Sequence, residues 1–369
     1  HGTALVAGSL AVLLVVWGTV QVFTSSQRSK TRAELASLVE QIGVQIQTAE
    51  NRYIIGDIDA ANAILDQAEQ RAKQVLDNEA ALFRTEATDL LGTIRSKKEE
   101  INNIIRLSPR SVANLASKSA DVTAEGMIDL GDGEFIAFDH KDAYRVLLNS
   151  VENPVQLTEQ DSIIDGVNFD RFQTIAFLAQ GNSVIELAGG QPTLMKTEDP
   201  AGWAAGRALQ SYLRYLYILS PEKKQIYKYE RLNGRYSAPV EYNVNGDLTG
   251  AVDFTIDGDV YVLREGGTVV RLLRGEAQPF VIRQAPADLL QDTTKIFKMA
   301  ESNFYILDPV RSRIILLSDG GPTGESTYLR QYVLEGDQLG ELKDITVDSD
   351  ETHLYVLSTK RIYVIDLVR

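Results

Sequence analysis

No cysteine occurs among the 369 residues. That excludes disulfides, thiolate metal sites and a cysteine nucleophile, and leaves the redox compartment unconstrained. Histidine is nearly as scarce, with only His1, His140 and His353. A Ser-His-Asp triad would have to recruit one of the last two, and neither has a carboxylate and a nucleophile at recognisable spacing. Positive charge is short as well: 37 Lys and Arg stand against 51 Asp and Glu, for a net charge of −14. A sequence-independent nucleic-acid binder needs surplus cations facing phosphates, so no nucleic-acid partner is expected. P-loop, GxSxG and HExxH patterns are missing too. These absences together point to a non-enzymatic chain with no catalytic, cofactor or metal residues.

What is present begins with an apolar run, "GTALVAGSLAVLLVVWGTVQVF" at 2–23, uncharged until Arg28. About 20 such residues in a helix cross a hydrocarbon core of roughly 30 Å, and Trp17 and Phe23 sit toward one end, where aromatics favour the interface. A transmembrane helix is therefore expected over 1–23. A signal peptide fits less well, because the apolar region is too long and "VFTSSQ" is a poor cleavage site. Arg28, Lys30 and Arg32 follow the span and vote for a cytoplasmic remainder, but that rule compares two flanks and only one is visible. A chain starting at His1 rather than Met is expected to be a piece of a longer protein or a processed product.

Residues 24–107 carry a helical period. Leu35, Leu38, Ile42, Ile46, Ala49 and Tyr53 form one apolar stripe, and Ile64, Ala68, Ala72 and Val75 a second. Phe83, Ala87, Leu90, Ile94, Ile101 and Ile105 form a third. Gly56 suits a helix end, Asp57 or Asp59 a cap, and "LDNEAAL" a second turn. A helical hairpin or three-helix stalk is expected, ending at Pro109. The segment "GDIDAANAILDQAEQRA" resembles half of a tetratricopeptide repeat, but one half-repeat does not make an array.

Beyond residue 108 the period falls to two. Six phrases recur: "EFIAFDHKDAYRVLL", "TIAFLAQGNSVIEL", "YLYILSPEKKQIYKY", "DVYVLREGGTVVRLL", "NFYILDPVRSRIILL" and "HLYVLSTKRIYVIDL". Their starts lie about 40–50 residues apart, and flanking apolar runs supply first and fourth strands. Among the proposed fourth strands are "QPFVI" at 278 and "YLRQYVL" at 328. Four antiparallel strands per unit make propeller blades, so 108–369 is expected to be a six-bladed β-propeller in a mainly β chain. The chain ends just after a third strand, and "SVANLA" at 111–116 is the expected closing strand.

The phrase "FYILDPVRSRII", with Asp308 opening a turn and Arg313-Ile314 closing it, resembles the NHL/YVTN class of propeller repeat. "LYILSPEKKQIYKY" and "LYVLSTKRIYVID" are similar, with Ser220 and Ser358 replacing the aspartate, while Arg264 and a Gly-Gly turn mark a wider departure. The full layout is similar to the C-terminal halves of bacterial membrane proteins in which a PP2C-like phosphatase or kinase precedes the span. That resemblance implies a single-pass protein whose extracytoplasmic propeller acts as a sensor. No phosphatase motif is present in these residues.

Candidate contact residues follow from placement. The longest inter-blade insertion, 197–212, holds Trp203 among small residues, where it fits a cap on the core better than a partner contact, and Arg207 four positions on. Arg214, Lys298 and Lys343 fall on or near first strands, which line the channel of a propeller, and could face an anionic ligand. The acidic turns at Asp129/Asp132/Glu134, Asp257/Asp259 and Asp348/Asp350/Glu351 fit hairpin chemistry better than a calcium loop. The strand tyrosines Tyr217, Tyr261, Tyr305 and Tyr355 fit packing. The expected function is recognition of a protein or small-molecule ligand at the propeller face. Two rivals remain: an envelope scaffold or adhesin, and a propeller hydrolase or lactonase. The last requires acids such as Asp253, Asp165 or Glu125 to converge on the axis.

Overall fold

The computed structural model describes residues 30–147 and 150–367. The expected span over 1–23 lies outside them. Among the described helices, none is long and apolar enough to cross a membrane. The chain divides into two compact units, His1–Asn103 and Ile104–Arg369.

Among its described residues the first unit contains three helices: α1 (30–54), α2 (Ile58–Leu76) and α3 (Arg84–Ile101). Their buried positions follow a heptad-like period. Leu35, Ile42 and Ala49 of α1, and Ala87, Ile94 and Ile101 of α3, recur every seven residues, while Ala61, Leu65, Ala68, Ala72 and Val75 of α2 alternate by four and three. The alanines on α2 let its neighbours approach closely. Gly56 bends the first turn at φ 83°, and the Asp57 carboxylate accepts the Ala60 N–H to cap α2. The third stripe is shorter than its period implies. Asn102 ends α3, Asn103 turns left-handed at φ 46°, and Ile104–Leu107 becomes a strand instead of a last helical turn.

The second unit is a six-bladed propeller, each phrase of the repeat being the central hairpin of one blade. In the fifth blade, Phe304–Asp308 pairs with Arg313–Leu317 in antiparallel register, Asp308 opposite Arg313. Asp308 is fully buried; it accepts the Arg311 N–H and pairs with Arg313 at 2.7 Å, which fixes the turn between the two strands. Tyr217, Tyr261 and Tyr305 are buried and Tyr355 half-buried, packing between blades as expected of sheets that cannot cover their own faces. The ring closes where Arg110–Asn114 pairs antiparallel with Arg361–Asp366, giving the sixth blade its outer strand.

Blade 5 departs from four strands. Its long outer strand, Glu325–Leu334, accepts two parallel additions, Ile104–Leu107 and Val281–Arg283. The run "QPFVI" is thereby split: Glu276–Gln278 completes blade 4, and Val281 onward crosses to the edge of blade 5.

Candidate functional site

The innermost strands of blades 2, 4 and 6 are Ile163–Phe169, Ala251–Ile256 and Leu342–Val347. Each has a one-residue bulge near its start, at Ile164, Val252 and Lys343. A bulge re-aims the side chain that follows it, and here that residue is an aspartate every time: Asp165, Asp253 and Asp344. Asp165 accepts the Leu209 N–H at 2.7 Å, Asp253 the Ile296 N–H at 2.9 Å, and Asp344 the Met127 N–H at 2.9 Å. Each carboxylate thus holds the first strand of the next blade, stitching blades 2 to 3, 4 to 5 and 6 to 1. The pattern has threefold pseudo-symmetry. It forms the neck of the axial channel.

One residue breaks that symmetry. Lys295 occupies the position before Ile296, where the equivalent residues are Ala208 and Gly126. Its ammonium lies 3.8 Å from Asp165 and 3.9 Å from Asp253. Burial pulls Lys295 toward neutrality, but the three surrounding carboxylates outweigh it and hold the side chain charged above the ordinary lysine range. Asp253 moves the other way from its usual value: burial pushes its carboxyl up to about 7, with Lys295 only partly opposing. Asp344 is raised for the same reasons, burial first.

Above the neck the channel widens into a funnel of about 650 Å³. One wall position comes from each blade in ring order: Glu125, Ile164, Arg207, Val252, Thr294 and Lys343. The walls are unlike. On the blade 6 and blade 1 side, Lys343 pairs with Glu341 at 3.2 Å and Glu125 at 3.6 Å, and His140 approaches Glu125 at 3.6 Å and Ser162 at 3.0 Å. Across the ring, Arg207 stands between the aliphatic Ile164 and Val252. Its guanidinium has no ion-pair or hydrogen-bond partner among the described residues, and its charge opposes that of Lys295. Gly206 makes this wall possible, because a Cβ there would lie 2.1 Å from Ile218 Cγ2.

Two of the residues singled out from sequence, Arg207 and Lys343, therefore share the funnel. The other three lie elsewhere. Trp203 is not a loop-borne contact surface: it is buried among Tyr229, Tyr236 and Met195, its indole N–H donating to the Met195 carbonyl at 3.0 Å. Arg214 sits in the turn after the first strand of blade 3, paired with Glu230 at 3.3 Å and lying over Tyr215. Lys298 has a fully buried side chain, paired with Asp257 at 2.8 Å and Asp319 at 3.3 Å and donating to the Met299 and Ser302 carbonyls.

The acidic turns are occupied by their own hairpins. Asp129 accepts the Gly131 N–H, Asp257 the Asp259 N–H, and Asp348 the N–H groups of Thr352 and His353. Burial raises the Asp348 carboxyl, but those bonds and the Thr352 hydroxyl hold it near 2. Among the described residues, no group of three or more acidic or histidine side chains is arranged to hold a metal ion.

No protein-family model matches the chain, and no curated protein matches it in sequence. Among solved structures, that of U3-55K is similar over 66% of this chain and 80% of its own, at 10% identity and a TM-score of 0.46. The crystal structure of the RRP9 WD40 repeats covers 66% of this chain and 79% of its own, at 10% identity and a TM-score of 0.47. The propeller assignment rests on the six sheets described above.

Proposed function

We propose that this chain is a membrane-tethered, non-enzymatic propeller of NHL/YVTN-like type that recognises a protein or small-molecule ligand through its funnel, as the extracytoplasmic sensing part of a longer bacterial signalling protein. One observation carries the recognition reading: the axial acids hold the ring together, whereas the funnel above them is open and presents a cation, Arg207, with no side-chain partner among the described residues. Asp165 and Asp253 do converge on the axis, as a hydrolase would require, while Glu125 sits higher, against Lys343. Yet each axial carboxylate has one oxygen committed to a backbone N–H, and the lysine ammonium takes the place a metal would need. The apolar run at 2–23 supports the tether.

The test is calorimetric titration of the full chain with Ca²⁺, Mg²⁺ and Zn²⁺, alongside a panel of lactones and esters. Neither metal uptake at the neck nor turnover is expected. Micromolar metal binding that disappears in Asp253→Asn, with metal-dependent hydrolysis, would overturn the reading. The tether and its orientation are tested with Val310→Cys, an exposed turn position in a chain without cysteine. A membrane-impermeant maleimide should label it on intact cells; labelling only after lysis would place the propeller in the cytoplasm.

A further inference from the structure

The two funnel walls are chemically different, and that difference specifies a ligand. The blade 6 and blade 1 wall keeps its one cation occupied, since Lys343 is shared between Glu341 and Glu125, and two carboxylates against one ammonium leave it net negative. The opposite wall offers one guanidinium, Arg207, with Ile164 and Val252 on either side of it in the ring. A guanidinium is a planar fork that matches a carboxylate with two parallel N–H···O bonds. Below it, Asp165, Asp253 and Asp344 surround Lys295, so the floor adds no net positive field. A dianion or polyanion would meet one free cation and several carboxylates. A single carboxylate balances Arg207 alone. Ile164 and Val252 favour an apolar group beside that carboxylate, and the exposed Glu341 with Glu125 favours a polar or cationic group at the far wall. A volume of about 650 Å³ falls within the 300–1,000 Å³ or so of ordinary small-ligand pockets.

Building on the recognition reading, we propose that the funnel binds the C-terminal carboxylate of a peptide ending in an aliphatic or aromatic residue, with Arg207 holding the carboxylate and Ile164 and Val252 holding the last side chain. The same chemistry is offered by a free oligopeptide and by the chain end of a folded protein.

The probe is a pool of tetrapeptides ending in Val, Leu, Ile or Phe, added to the full chain in nanodiscs with isotope-labelled Ile and Val methyls. The Ile164 and Val252 signals should shift. Amidating the peptides should weaken binding by at least tenfold, and so should Arg207→Gln. Arg207→Lys, which keeps the charge but loses the fork, should fall between. Arg214→Gln, an arginine outside the funnel, should leave affinity unchanged. A carrier protein ending in the same four residues separates the sources: binding of both forms assigns a protein chain end, and binding of the free peptide alone assigns an oligopeptide. Equal affinity for acid and amide, no effect of Arg207→Gln, or no shift with millimolar peptide would overturn the proposal and leave the wider recognition reading standing. That reading falls separately, by metal-dependent turnover.

Discussion

The neck and the funnel share one axis and nearly the same residue types, yet they differ in what their charges do. In the neck every carboxylate has a backbone N–H to hold, and the single ammonium lies amid the acids. In the funnel, half the wall is satisfied by its own ion pairs and the other half ends in an arginine that nothing in the described chain answers. Buried polar groups that are fully paired specify a structure. A cation left open in a concave site invites a ligand. The comparison teaches that axial charge in a propeller is not one signal, and that pairing decides between building and binding.

That distinction breaks first at Lys295. Lys295→Met leaves three carboxylates facing one another, and unfolding by denaturant should register a loss of about 2 kcal/mol, below the value for a fully buried pair because Lys295 retains some solvent contact. The loss should shrink at pH 5, where the acids can take up a proton; an equal loss at pH 5 and pH 8 would contradict it.

An effect of similar size follows from the stitches. Asp165→Ala leaves the Leu209 N–H without its acceptor and should cost about 1–3 kcal/mol in the same assay, whereas Asp165→Asn, which keeps an acceptor oxygen, should recover much of it.

The pH dependence sharpens the comparison. Asp253 has a folded pKa raised to about 7, so the folded state binds more protons than the unfolded state between its ordinary value and 7. Stability contributed by this group therefore falls as pH rises through that window, and the full penalty stands above it. Thermal melts from pH 5 to pH 8 should slope downward in the parent, with a flatter line in Asp253→Asn.

The smallest effects belong to the funnel. Arg207→Gln should change stability by no more than about 0.5 kcal/mol, and Lys343→Met, whose ion pairs are only half-buried, by less than about 1 kcal/mol. A large loss from Arg207→Gln would mean that the guanidinium builds the ring after all.

Much of the architecture was legible because it repeats. The aromatic-aliphatic hairpins, the Asp308 and Arg313 turn and the closing strand near residue 111 all follow from a period of two and a regular spacing. The site was less legible because it depends on single-residue shifts. Lys295 opens the short strand Lys295–Phe297, and Lys298, three residues on, lies just beyond its end. The segment "KIFKM" does not say which lysine meets the axis. The bulges at Ile164, Val252 and Lys343 are invisible in composition, yet they aim the three aspartates; Asp344 inside "LKDITV" carried no mark except its likeness to "AVDFTI". Trp203, in a loop among small residues, admitted both a partner contact and a cap on the core, and small neighbours are what let its indole reach that core. Ile105 continued a helical stripe until Asn103, in a left-handed conformation, ended it.

The most direct test of the account is where on the axis a ligand acts. Methyl spectra of the full chain should be recorded before and after addition of the free-acid tetrapeptide pool, with Ile164 and Val252 reporting the funnel and Ile128 and Ile296 the channel at and below the neck. The account predicts shifts confined to Ile164 and Val252 and lost in Arg207→Gln. Shifts centred on Ile128 and Ile296, or a funnel that stays silent, would contradict the division between a neck that builds and a funnel that binds.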